Sequence, residues 1–268
     1  MPNSNKKINL SIIIPVFNSS KILKKLTHQI KKSVNPKILK RYEVIFVNDN
    51  SIDDSWNTIK KLSRNRSNFV KGINFKYNFG QHSALFAGIK YSKGERIILM
   101  DDDLQHSPKY LVKIYKKLNQ YDLCYTKYRK REHVFWKRFV SFLNNIFATV
   151  IFDKPLNIYL SSFKGFNRHL KKKFINNKKK IILVDAMLIK STKKICSIDI
   201  LHQRRFKGES NYNIKNLFSL WFDSIENFHF YPIRIGSFVG FIFFLIVKVL
   251  RLFSKSKNSQ FQILEKTF

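Results

Sequence analysis

Ile97-Ile98-Leu99-Met100-Asp101-Asp102-Asp103-Leu104-Gln105 is an apolar run that ends in three consecutive carboxylates. Carboxylates leaving a buried strand repel one another and raise each other's pKa unless a cation or cationic ligand lies between them. Side chains alternate along an extended segment, so Asp101 and Asp103 can share one side while Asp102 points away. That pair, with Gln105 as a neutral oxygen donor, could hold a hard divalent cation whose other positions go to water and phosphate oxygens. The competing reading is a solvated acidic turn before a helix beginning near Ser107-Pro108, where proline suits a first helical position.

The residues upstream repeat a strand-then-helix rhythm. Strands are expected over Leu10 to Val16, Tyr42 to Val47, Val70 to Asn74 and Arg96 to Met100, and helices over Ile22 to Ser33, Ser55 to Ser63 and His82 to Tyr91. Short apolar runs alternating with amphipathic stretches predict an α/β fold: a mostly parallel sheet flanked by helices. Ligands in such sheets bind beyond the carboxyl ends of the strands. Three polar groups fall there: Pro15-Val16-Phe17-Asn18, Asn48-Asp49-Asn50-Ser51-Ile52-Asp53, and Asp101 to Gln105. Taken singly, Ser51 and Asp53 read as helix caps and the others as turn residues; together they outline one cleft.

These segments, with Tyr77-Asn78-Phe79-Gly80-Gln81, resemble in order and spacing the signatures of the family 2 glycosyltransferases with the Rossmann-like glycosyltransferase A fold. Ser161-Ser162-Phe163-Lys164 and His202-Gln203-Arg204-Arg205-Phe206-Lys207-Gly208-Glu209-Ser210-Asn211-Tyr212 narrow the resemblance to the polyprenyl-phosphate glycosyltransferases related to dolichyl-phosphate mannose synthase. Asn227-Phe228 and Pro232-Ile233-Arg234 resemble that subgroup's entry into its membrane segment. The departures are Asn48 for a usual aspartate, Asn50 for a glycine that Asn can replace in left-handed backbone, Tyr77 for an arginine, and Ser19-Ser20 for acidic residues.

The resemblance implies transfer of a sugar, with inversion, from a nucleotide-diphosphate sugar to a polyprenyl phosphate of the undecaprenyl type at the cytoplasmic face of the cell membrane. It places the nucleotide on Pro15, Phe17, Asn18, Asp49, Asn78, Gly80 and Asp102, with Asp49 accepting from the base and a uridine donor preferred to a guanosine one. It places Mg or Mn on Asp101, Asp103 and Gln105, Asp103 also serving catalysis. An acceptor phosphate is largely ionised near neutral pH, with a second pKa of about 6, so it needs positioning more than a base. Guanidinium forks suit that task; Arg205 and Arg131 lead the candidates, followed by Arg129 and Arg138, with Ser210 and Ser141 as hydroxyl donors. Asp185, after Ile181 to Val184, reads as a base for a saccharide hydroxyl or as a cap for the following helix. Two other readings stand beside the first: transfer to a saccharide hydroxyl in surface-polysaccharide or lipopolysaccharide synthesis, and a non-catalytic basic scaffold on a membrane.

Composition sets wider bounds. The 268 residues carry 51 Lys and Arg against 17 Asp and Glu, a formal charge of +34. The excess is spread over both halves, and such a field attracts anionic membranes, nucleotide sugars and nucleic acid alike. No zinc-finger, helix-turn-helix or RNP-type pattern supports a specific nucleic-acid partner. Cys124 and Cys196 lack metal or redox spacing and read as small buried side chains of a reducing compartment.

The expected organisation is a catalytic domain over 1–213, a juxtamembrane and hydrophobic segment over 214–253, and a polar, mobile tail over 254–268. Ile235 to Val247 is almost wholly apolar, yet a spanning helix needs about 20 residues. It can span only if the flanking Lys and Arg snorkel, and otherwise lies in the interface. Self-association could complete the membrane packing.

Overall fold

The computed structural model describes residues 8–34, 41–64, 69–128, 149, 154–175, 184–201 and 262–268. Eight strands form one sheet: β1 (Leu10–Val16), β2 (Tyr42–Asn48), β3 (Val70–Phe75), β4 (Arg96–Leu99), β5 (Leu123–Tyr128), β6 (Lys164–Asn167), β7 (Ile195–Ile200) and β8 (Ile263–Lys266). Their spatial order is β7-β5-β6-β4-β1-β2-β3-β8. Only β6 and β8 run against their neighbours, so the sheet is mostly parallel, as the rhythm of the sequence predicts.

The helices are α1 (Ser20–Ser33), α2 (Ser55–Ser63), α3 (Gln81–Tyr91), α4 (Leu111–Lys117), α5 (Arg168–Ile175) and α6 (Val184–Ser191). They cover both faces, and the consecutive isoleucines of β1 show why the strands read as unbroken apolar runs. Ile12 and Ile14 enter one layer with Leu23, Leu26 and Ile30 of α1 and Ile114 of α4. Ile13, between them, enters the other with Leu85 and Ile89 of α3. A strand buried on both faces has no polar side to display.

The amino end of the sheet is closed by a buried charge. Glu43, 1 % exposed, accepts from the Ser11 hydroxyl at 2.5 Å, the Lys71 ammonium at 2.6 Å and the Lys93 backbone N–H at 2.6 Å. Gly94 adds a bond to Ser11 Oγ at 2.8 Å. A Cβ on Gly94 would lie 2.5 Å from the Ser11 nitrogen, so only glycine fits there.

Residues 262–268, expected to be part of a mobile polar tail, instead join the sheet. Lys266 and Glu265 pair with Ile73 and Asn74 on the outer edge of β3. Trp56 Nε1 donates to Glu265 at 2.8 Å and the Gly72 N–H to Thr267 Oγ1 at 2.7 Å. Lys266 lies 3.8 Å over the Tyr91 ring. Polarity misleads here because an edge strand keeps one face in solvent while its backbone satisfies the last open ladder. The proposed boundaries at 213 and 253, the apolar run Ile235 to Val247 and residues 254–261 lie outside the described residues. Among those described, no helix is long and apolar enough to cross a membrane.

Cys124 and Cys196 are far apart in sequence yet are register partners on β5 and β7. Both are free thiols. A thiol–thiol hydrogen bond, reinforced by burial, pushes Cys124 up, while the same bond holds Cys196 below the ordinary thiol value.

Removing Glu43 leaves the largely buried Lys71 ammonium and the Ser11 and Lys93 donors without their acceptor. Glu43→Ala is expected to cost about 3–5 kcal/mol, read as a lower midpoint in urea denaturation. A loss under about 1 kcal/mol would show that this closure is dispensable.

Candidate active site

The cleft opens where β1 and β4 part. Ile13 pairs with Leu99, and the Met100 N–H still reaches the Ile13 carbonyl at 3.1 Å. Two residues on, Pro15 presents a nitrogen without hydrogen to that side, so the ladder stops at a position where a proline would otherwise break a central strand. Toward β2 the ladder continues through Pro15–Val47 and Val16–Asn48. Beyond it, Phe17 stands 50 % exposed at the mouth.

Side chains tie the first two loops together. Asn18 and Asn50 adopt φ of 54° and 55°, so Asn50 does take the left-handed backbone expected of a glycine replacement. Asn18 Oδ1 accepts the Ile52 N–H at 3.0 Å, and the Asn18 N–H donates to Ser51 Oγ at 3.0 Å. Ser51 Oγ in turn donates to Asn48 Oδ1, whose amide donates to Asn74 Oδ1 at 2.7 Å. The carboxylate usual at position 48 could not donate that last bond. Asp53 accepts the Ser20 N–H through one oxygen and the Ser55 N–H and hydroxyl through the other. It thus caps the starts of two helices, one more than a local cap serves. Burial alone would raise its pKa, but the bonds from Ser55 and Ser20 together hold it below the ordinary carboxylate value.

Asp49 is buried, with 4 % exposure. Its oxygens accept the Phe79 N–H at 2.7 Å and the Gly80 N–H at 2.8 Å, latching the third loop against the second. Gly80 has φ +86° and open space where a Cβ would be, so it is required for its backbone angle, not for room. The exposed Asn78 precedes this latch. A nucleobase would meet Asp49 only through lone pairs that the two N–H groups leave over.

The three carboxylates follow β4 in a bent loop and take different partners. Asp101 accepts from Gln81 Nε2 at 2.9 Å and from Ser162 Oγ at 2.5 Å, with His106 Nδ1 3.7 Å away. Asp102 turns to the Ser19 hydroxyl and the Phe17 backbone. Burial, then opposed by the Ser19 bond, and the charges of Asp101 and Asp103 push it up to about 7. Repulsion from Asp101 and Asp103 contributes as expected, behind burial. Asp103 Oδ1 accepts the Gln105 backbone N–H at 3.0 Å, which ties Gln105 to the carboxylate loop. Leu104 between them is buried at φ 61°, a strained angle for leucine of the kind found at functional loops. Behind Asp101, His106 is stacked on Tyr128 and bonded to its hydroxyl at 2.6 Å.

Among the described residues no three His, Cys, Asp or Glu side chains converge as a metal cage. Two hard oxygen donors with open positions instead suit Mg or Mn shared with a diphosphate.

Asp185, singled out in the sequence, has partners beside this loop that sequence reading did not find. Asp185 stands in the first turn of α6, where Oδ1 accepts the Tyr125 hydroxyl at 2.7 Å and the Lys164 ammonium. Tyr125 and Lys164 are cross-strand neighbours, a pairing that no local motif reveals. Arg129, Arg131, Arg138, Ser141, Arg205 and Ser210, the residues expected to hold an acceptor phosphate, lie outside the described residues.

Asp49→Ala would leave two N–H groups of the third loop without their acceptor. It is expected to lower stability by about 2–4 kcal/mol in chemical denaturation. A smaller cost, about 1 kcal/mol at neutral pH, is expected for Asp53→Asn. Because the folded pKa of Asp53 is depressed, its contribution is present above the ordinary carboxylate value and lost as pH falls through the folded one. The Asn variant should therefore converge with the parent in acid, and a constant gap across pH titrations of stability would refute this.

Residues 11–185 match the model of glycosyl transferase family 2. An undecaprenyl-phosphate 4-deoxy-4-formamido-L-arabinose transferase of Shewanella sediminis (strain HAW-EB3) is 29 % identical over 232 residues, covering 86 % of this chain and 70 % of its own. The uncharacterized glycosyltransferase YkcC of Bacillus subtilis (strain 168) is 28 % identical over 261 residues, covering 94 % and 80 %. Among solved structures, glucosyl-3-phosphoglycerate synthase of Mycobacterium tuberculosis in complex with Mn2+, UDP-glucose and phosphoglyceric acid superposes with a TM-score of 0.58 at 12 % identity, over 82 % of this chain and 79 % of that one, which establishes the glycosyltransferase A fold. The scaffold reading lapses: the chain belongs to glycosyl transferase family 2 and is a glycosyltransferase.

Proposed function

We propose that the protein transfers one sugar, with inversion, from a nucleotide-diphosphate sugar to a polyprenyl phosphate of the undecaprenyl type at the cytoplasmic face of the cell membrane. The observation that carries the reading is the placement of Asp101 and Asp103 across the β1–β4 opening from the loops latched by Asp49 and Asn18. The names of the relatives supply the acceptor class. A uridine donor is preferred, and the superposable Mycobacterium tuberculosis enzyme was crystallised with UDP.

Pro15, Phe17, Asn18, Asn78 and Gly80 shape the nucleoside pocket, and Asp49 keeps its two walls together. Asp101 and Asp103, helped by Gln105, would hold a divalent cation, which when bound supplies Lewis-acid stabilisation of charge on the departing diphosphate. Asp102, turned away, holds the Phe17 loop against the carboxylate loop. Arg205 and Arg131, with Ser210, orient the acceptor phosphate. One of its oxygens attacks the anomeric carbon as the bond to the nucleoside diphosphate breaks, and an ionised phosphate needs no base. The run Ile235 to Val247 and the basic surface bring the enzyme to an anionic bilayer, and self-association of that segment belongs to the same reading.

A saccharide acceptor is the second reading, motivated by Asp185, a carboxylate beside the site that could serve a hydroxyl nucleophile. Membranes containing the protein, supplied with radiolabelled UDP- and GDP-sugars, Mn2+ and undecaprenyl phosphate, separate the two. The expected product is a mild-acid-labile glycosyl phospholipid, reduced at least about 100-fold by Asp101→Ala or Asp103→Ala and abolished by chelation. A stable glycan with unlabelled lipid would transfer the assignment to the saccharide acceptor.

A further inference from the structure

Asp185, Lys164, Tyr125 and His82 form a polar group within an otherwise apolar layer of α3, α6 and the sheet. Tyr125 and Lys164 are 0 % and 2 % exposed, while the Asp185 side chain keeps 22 % exposure. Both donors, the Tyr125 hydroxyl and the Lys164 ammonium, go to Oδ1. Burial, then the Asp185 charge, raises the Tyr125 hydroxyl well above its ordinary value, so it remains a donor. Oδ2 is left with no hydrogen-bond partner among the described residues. Lys164 compensates the Asp185 charge through Oδ1, which leaves the lone pairs of Oδ2 available to a ligand.

The group is fastened to the carboxylate loop from two directions. Gln81, which donates to Asp101, precedes His82 in the first turn of α3. Ser162, which also donates to Asp101, lies two residues before Lys164. Lys164 is the register partner of both Leu99 and Tyr125, and Leu99 lies two residues, about 7 Å along an extended chain, before Asp101. His82 Nδ1 is buried with no partner among the described residues. Burial holds this imidazole below its ordinary pKa, against the Asp185 charge.

A sugar joined to a diphosphate that rests on Asp101 and Asp103 must lie beside that loop. We infer that Asp185, fixed by Tyr125 and Lys164 next to His82, is the acceptor that reads a hydroxyl or amide N–H of the donor's sugar. This rests on the proposed nucleotide-sugar site and assigns its sugar-recognising residue. Asp185 is then a specificity-determining group and not the base of a saccharide acceptor. A site built to pair with a polar hydrogen rejects a sugar lacking it far more strongly than an apolar wall rejects an added group.

The test is titration calorimetry of the full chain with Mn2+ and no lipid, using UDP, UDP-glucose, UDP-galactose, UDP-N-acetylglucosamine and UDP-xylose. For the sugar nucleotide that gains most over UDP, Asp185→Asn is expected to lose at least about 10-fold of that gain while UDP itself binds within twofold of the parent. The double variant Asp185→Ala with Lys164→Met removes both charges together, leaving no lone buried ion, and should show the same selective loss. Deoxy analogues of that sugar nucleotide should include one that binds parent and variant equally. The inference fails if both variants bind the sugar nucleotide like the parent, or if Asp185→Asn lowers kcat alone and removes the acid limb of the pH–rate profile, as a base would. If the parent binds no sugar nucleotide more tightly than UDP, the sugar-reading inference fails while a nucleotide site survives; if it binds neither UDP nor any sugar nucleotide, the proposed function fails first.

Discussion

The site exists because the hydrogen-bond ladder between β1 and β4 stops one step after Leu99. Two parallel strands in the middle of a sheet ordinarily stay paired to their ends, and their loops then close over each other. Here Pro15 withholds one N–H on the β4 side while pairing with β2 continues. The carboxylate loop can therefore turn toward α3 and β6 instead of following β1. Every other feature of the cleft is an adjustment to that separation. Asp49 and Asn18 hold the loops on one bank, and Gln81 and Ser162 hold Asp101 on the other.

The chain's charge takes on a different meaning in this light. With 51 basic and 17 acidic side chains, the chain is basic by composition, and seven of its acids are committed to structural or site roles. Glu43 closes the amino end of the sheet, Asp49 and Asp53 fasten loops, Asp101 to Asp103 form the carboxylate loop, and Asp185 sits among α6 and the sheet. The remaining acids are far outnumbered by lysine and arginine. The resulting field concentrates anionic substrates near the cleft while the cleft keeps its own negative charge.

The strand-and-helix rhythm of the first hundred residues was legible because it is local: β1 to β4 and α1 to α3 fall within a residue or two of the positions that apolar periodicity indicates. The polar groups at the strand ends were legible for the same reason. Their partners were not. That Asp49 binds the backbone of Phe79 and Gly80, that Asp53 serves two helices, and that Asp185 meets Lys164 and Tyr125 all depend on contacts between distant segments. Cys124 and Cys196 look solitary for that reason too. β8 escaped notice because four residues of mixed polarity carry almost no periodic signal, and its identity comes from the edge it fills.

That edge has a consequence for how the molecule is assembled. β3 offers its outer backbone groups to whichever strand arrives, and the native partner, Ile263 to Lys266, is nearly two hundred residues later in the chain. A nascent polypeptide carries this unfinished border through the synthesis of β4 to β7 and the long stretch after Ile200. Ile263 to Lys266 act as a seal whose docking ends the period in which one copy can be extended by a strand from another.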